Sequence, residues 1–269
     1  MTGLAETDQA IVDTHVHLAL DELMIMVDRP HGTAQYAAEA SALGVRTACV
    51  LAMAPSNDHD RTVFQNNLVV NAEVDGIRTV PFCSVHPSDG GWALQEIDRI
   101  AGAGARGLKL HPNTQQFDVA DDAVAEIVRH AGELGLVVLF DAFSLRDPAQ
   151  VGKFVDLAIA CPDTDIILAH LAGPRFPEMM TFAVLAQYPW WQRRVWFDIS
   201  WTVPTYAGSP FAEQLLWVCR QLGPDRLLFG SDYPIVPVEA ALNGVRKLGF
   251  TEDELSAILS QNATDLLRL

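Results

Sequence analysis

The chain has 269 residues, 49% of them hydrophobic, enough to enclose one sizeable core, so a single domain over 1–269 is expected. A formal charge of −16 argues against nucleic acid or an anionic membrane surface as partner. No apolar run nears the ~20 residues that span a bilayer. Residues 1–10 lack a basic-then-apolar signal pattern, and the 4 cysteines are scattered with no C-x-x-C. The expectation is a soluble cytoplasmic protein with reduced thiols.

Eight short apolar runs, at 11–17, 45–53, 77–85, 106–111, 136–141, 165–170, 195–200 and 227–232, alternate with stretches of helical spacing. The first ends in Asp13-Thr14-His15-Val16-His17. Strand alternation places Asp13, His15 and His17 on one face, where two imidazoles can converge on one cation. Taken alone, the same pair reads as solvated histidines near a strand end. After the third run, Gly102-Ala103-Gly104-Ala105-Arg106-Gly107 matches a dinucleotide fingerprint in letters only. It has a helix before it and a strand after it, the reverse of what that motif requires.

The fourth run ends Gly107-Leu108-Lys109-Leu110-His111-Pro112, the fifth Leu139-Phe140-Asp141, the sixth Leu168-Ala169-His170 and the eighth Phe229-Gly230-Ser231-Asp232. Singly, each polar residue reads as a hydrogen-bonded core group, and Lys109 as the partner of inward acids Asp13, Asp198 and Asp232. Asp147-Pro148 and Ser209-Pro210 place a cap residue before a proline at a helix start, and Thr251 with Glu254 reads as a capping box. Gly44, Gly135, Gly223 and Gly249 stand where helices would stop.

Eight strand–helix units in about 250 residues have the size of a (β/α)8 barrel, with a doubly wound open sheet as the competitor. A barrel gathers functional residues at the carboxyl ends of its strands. His15, His17, His86, His111 and His170 lie at such ends, His31 and His59 in following loops, and only His130 on a helix. That one-sided distribution selects the barrel. Histidines and carboxylates closing runs 1, 5, 6 and 8 then describe a metal site with an adjacent acid–base pair.

These four stretches, Asp13 to His17, Gly107 to Pro112, Ile166 to His170 and Leu228 to Pro234, fall in the order of the amidohydrolase superfamily. The chain resembles its amidohydrolase 2 family over nearly its whole length. The resemblance implies metal-ligand roles for His15, His17 and Asp232, and a site role for His170. It also marks a departure, because Asp141 stands where the family closes strand 5 with a ligand histidine. Asp141 is read either as an anionic replacement ligand or as the buried partner of Lys109.

The leading expectation is a hydrolase that opens a C–N or lactone bond of a small carboxylated substrate with one divalent ion, zinc first and manganese second. Asp232 would move the proton, and His170 would polarise the carbonyl. Nonoxidative decarboxylation in the same site is the alternative, followed by a metal-independent lactonase or an inactive binding barrel. Lys109, His111, Arg175 and Trp201 are the candidate substrate contacts, with an Arg175–Glu178 surface pair as the plain reading of Arg175. A homodimer is left open.

Overall fold

The computed structural model describes residues 10–269, so the amino-terminal signal reading lies, apart from Ala10, outside the described residues. Eight parallel strands run in sequence order: β1 (Ile11–Val16), β2 (Val45–Leu51), β3 (Arg78–Cys83), β4 (Gly107–Leu110), β5 (Val137–Asp141), β6 (Ile166–Ala169), β7 (Val195–Asp198) and β8 (Leu227–Leu228). Each neighbouring pair is parallel, and the segment that follows β8 closes the barrel on β1. Thr14 N donates to Phe229 O at 2.9 Å, Asp232 N to His15 O at 2.9 Å and His17 N to Tyr233 O at 2.7 Å. The architecture is a (β/α)8 barrel.

Alternation along the strands sorts the interior from the outer layer. Val12, Cys49, Leu51, Val80, Phe82, Val137, Leu139, Ile167, Ala169, Trp196 and Leu228 form one cluster that fills the barrel, together with Ala263 and Leu267 from the last helix. A second cluster holds the outward strand residues and the apolar stripes of the surrounding helices. Helix Asp122–Glu133 shows the pattern, burying Val124, Ile127, Val128 and Ala131 at i, i+3, i+4 and i+7. Gly107 is fixed by packing, since a Cβ there would lie 2.3 Å from the Phe82 ring.

The eighth run differs from the sequence reading. Only Leu227 and Leu228 pair as a strand. The next amides have other acceptors: Phe229 N donates to Ile258 O at 3.0 Å and Ser231 N to Asp13 Oδ1 at 2.8 Å. The two proline caps also shift. Asp147 Oδ1 accepts from Ala149 N and Ser209 Oγ from Phe211 N, so both residues make turns that feed helices starting at Gln150 and Ala212. The Thr251–Glu254 capping box forms as expected, the four predicted stop glycines all have positive φ, and His59 begins a helix rather than sitting in a loop. All four cysteines are free and buried.

Candidate active site

The carboxyl ends of the strands bring His15, His17, Lys109, His111, Asp141, His170, Asp198 and Asp232 together. His15 and His17 face the same point, with 3.2 Å between their Nε2 atoms. Asp13 does not join them, contrary to the simple alternation. The β1 register is irregular between Asp13 and Val16, and the Asp13 carboxylate accepts instead from Ser231 N, His15 N and the Tyr36 hydroxyl. Burial pushes Asp13 up to about 6, the hydrogen bonds from Ser231, Tyr36 and His15 opposing it.

His15, His170 and Asp232 each offer a ligand atom within 4.8 Å of the others, and all three are buried. Two imidazoles and a carboxylate are a donor set that suits zinc or manganese, so the residues present fit a single divalent ion. This grouping differs in emphasis from the sequence expectation, in which His170 polarised a carbonyl while His17 and Asp141 completed the ligand set. His17 lies next to the group. The Asp141 carboxylate lies against the same ring nitrogen of His170, with Oδ2 3.3 Å from His170 Nε2 and 3.5 Å from His111 Nε2. Its Oδ1 accepts from Phe143 N at 3.1 Å.

Lys109 is 1% exposed, and its Nζ lies 3.3 Å from His15 Nε2. Among the described residues it makes no ion pair with Asp141, so the buried pair considered from sequence is not formed. Burial lowers the Lys109 pKa, while Asp141, Asp232 and Asp198 work to raise it. The same crowding sets the other groups. His15 and His17 are held well below their ordinary values by burial first, then by neighbouring cationic groups. Burial also disfavours the charged form of His170, but Asp232 and Asp141 outweigh it and raise His170 to about 9. Asp232 is raised by burial to about 6.

The backbone here is strained. His170, Leu171 and Ala172 have φ of 64°, 45° and 57°, and Asp232 has 61°. Non-glycine residues in this region cost of order 1–3 kcal/mol each and persist where surroundings over-determine them. Gly173 continues the left-handed run, and a Cβ there would lie 2.6 Å from the Phe143 ring. Phe143 in turn packs on Trp201 at 4.7 Å between centroids. These rings stand beside His170, with the Phe143 centroid 6.4 Å from the imidazole.

Arg175 is not brought to the cluster. Its guanidinium bonds Glu178 at 2.6 and 2.8 Å and the carbonyls of Asp147 and Pro148, tying the loops after β5 and β6 together. Three other histidines have local partners: His86 on Gln115 O, His31 on Arg29 O and His130 on Asp98. Sequence reasoning gave Asp198 only a charge-balancing role and passed over Ser200 and Phe143. The i, i+2 spacing of Asp198 and Ser200 at the end of β7 was the available signal, the same one that marked His15 and His17.

A family model described as amidohydrolase matches residues 12–269. No curated protein matches the sequence. Among solved structures, 2,6-dihydroxybenzoate decarboxylase from Rhizobium is 15% identical at a TM-score of 0.72, covering 97% of this chain and 99% of its own. 5-Carboxyvanillate decarboxylase from Novosphingobium aromaticivorans, complexed with manganese and a nitrobenzoic acid, is 15% identical at 0.68, covering 100% of each chain. A candidate 2-pyrone-4,6-dicarboxylic acid hydrolase from Pseudomonas putida is 20% identical at 0.70, covering 96% of this chain and 97% of its own. Identities this low establish the shared fold alone, whereas the family model spans the barrel from β1 to the last helix. The chain belongs to the amidohydrolase 2 family.

Proposed function

We propose that the protein is a divalent-metal-dependent enzyme that decarboxylates a small aromatic carboxylate without oxidation. The observation that carries the metal is the buried convergence of His15, His170 and Asp232 within 4.8 Å at the strand ends. Decarboxylation takes precedence over the hydrolysis first expected because two of the three structural relatives described above are decarboxylases of hydroxylated aromatic acids. Manganese in one of them supports manganese beside zinc.

A bound cation supplies positive charge that holds the substrate's carboxylate or adjacent oxygen. Lys109 and His111 add polar contacts to that end of the substrate, and Trp201 with Phe143 provides an apolar wall for the ring. Asp232, buried at the strand end beside the cation site, delivers a proton to the ring carbon bearing the carboxylate. The C–C bond then breaks, its electron pair restores the aromatic ring, and carbon dioxide leaves. His170, fixed between Ser200 and Asp141, would help hold that cation beside the reacting carboxylate. Asp141 holds His111 and His170, and Arg175 secures the loops around them.

Lactone hydrolysis is the second reading, favoured by the likeness to the Pseudomonas putida protein. There Asp232 would accept a proton from water instead of delivering one to carbon. The two separate in a single assay on metal-loaded protein with 2,6-dihydroxybenzoate, 5-carboxyvanillate and 2-pyrone-4,6-dicarboxylate. Carbon dioxide from an aromatic acid is the expected product, and ring-opened acid from the pyrone with none from the others would reject decarboxylation.

A further inference from the structure

We infer that Asp198, acting directly on His15 and through Ser200 on His170, is the positioning residue that holds Nδ1–H of both rings and turns both Nε2 atoms to the cation site. The inference rests on the metal reading above for its consequence, but the network itself is independent of it. Asp198 closes β7, is fully buried, and places Oδ2 2.5 Å from His15 Nδ1. The same Oδ2 lies 3.0 Å from Ser200 Oγ, and Oδ1 accepts from Ser200 N at 2.7 Å. Ser200 Oγ is also 2.9 Å from His170 Nδ1.

The direction of each bond follows from the inventory of donors. An ionised carboxylate only accepts, so His15 must carry its proton on Nδ1 and Ser200 must donate its single hydroxyl proton to Asp198. The Ser200 oxygen is then left as an acceptor, and His170 must present Nδ1–H to it. A single carboxylate on β7 thus holds Nδ1–H of two rings, at the ends of β1 and β6. Each Nε2 is directed at the point where Asp232 also converges. The partner that holds a ligand imidazole's other nitrogen fixes its tautomer and orientation.

Asp198→Asn reverses this logic. With its oxygen kept on Ser200 N, the amide NH2 faces both His15 Nδ1 and Ser200 Oγ. It then donates to both, and forces the His15 proton to Nε2. With the amide turned round, its NH2 confronts Ser200 N–H, two donors without an acceptor. Ser200→Ala removes only the His170 branch.

The test is nitrogen-15 NMR of the imidazoles in the full metal-free chain, with calorimetric titration of Zn2+ and Mn2+ alone into each variant. The wild type should show hydrogen-bonded Nδ1–H signals from both His15 and His170. Asp198→Asn should lose the His15 signal and bind either ion about 10–100-fold more weakly. Ser200→Ala should shift the His170 signal alone and weaken binding by about 10-fold. An unprotonated His15 Nδ1 in the wild type, or Asp198→Asn binding within about twofold of it, would overturn the inference. Should Asp198→Asn fail to fold, Ser200→Ala decides, and an unmoved His170 signal with unchanged affinity is the overturning result. A wild type that binds neither ion rejects the functional reading, and the Nδ1–H signals then decide this inference alone.

Discussion

Gly230→Ala tests how tightly β1, β7 and β8 are locked at the site. An added Cβ would lie 2.7 Å from Asp198 Oδ1 and 2.8 Å from His15 Cβ, so one neighbour or the backbone must move. Neither side chain is free to move: Asp198 is held by Ser200 and His15, and both are buried. The backbone is pinned as well, by Phe229 N on Ile258 O, Thr14 N on Phe229 O, Ser231 N on Asp13 and Asp232 N on His15 O. Overpacking a well-packed site costs about 1–3 kcal/mol, and with no soft neighbour the upper part of that range, about 2–3 kcal/mol, applies. For a chain of this size each kcal/mol lowers Tm by about 2–4 °C, so calorimetry should find a drop of roughly 5–10 °C. A variant melting within about 1 °C of wild type would refute the claim that Gly230 is required by contact with Asp198 and His15.

Asp13→Ala removes the acceptor of Ser231 N–H and of the buried Tyr36 hydroxyl, and chemical denaturation should show a loss of about 1–3 kcal/mol per stranded group; a neutral result would mean that these bonds contribute nothing net. His170 is raised to about 9 in the folded chain against 6.5 ordinarily, so its contribution to metal-free stability is complete below pH 6.5 and is lost as pH rises through about 9. Asp141→Asn removes one of the carboxylates responsible, and the His170 titration followed by NMR should move down; an unmoved titration would show that Asp141 has no such influence. Arg175→Ala should speed hydrogen exchange at residues 144–148 while leaving KM within about twofold, since its bonds go to Asp147, Pro148 and Glu178. A large rise in KM with unchanged exchange would restore it as a substrate contact.

The barrel was legible because its signals are local: short apolar runs, regular spacing, and histidines confined to one end. The strand-end positions of His15, His170 and Asp232 were legible for the same reason, although His170 was read as a carbonyl polariser rather than a ligand. What was not legible depends on partners distant in the chain. Asp13 leaves the histidine face because a register irregularity in β1 turns it to Tyr36 and Ser231. The short β8 reflects amides claimed by Ile258, Asp13 and His15, which no spacing rule anticipates. Asp141 was ambiguous from sequence since both Lys109 and a cation were within plausible reach. Its actual partners, His111 and His170, come from strands on either side of β5.

His15, His170 and Asp232 are proposed to hold one divalent ion. Anomalous diffraction from crystals grown with Mn2+ measures this directly. A single peak is expected at coordination distance from His15 Nε2, His170 Nε2 and an Asp232 oxygen. A saturated crystal with no peak between these three residues, or with its only peak elsewhere, would contradict it.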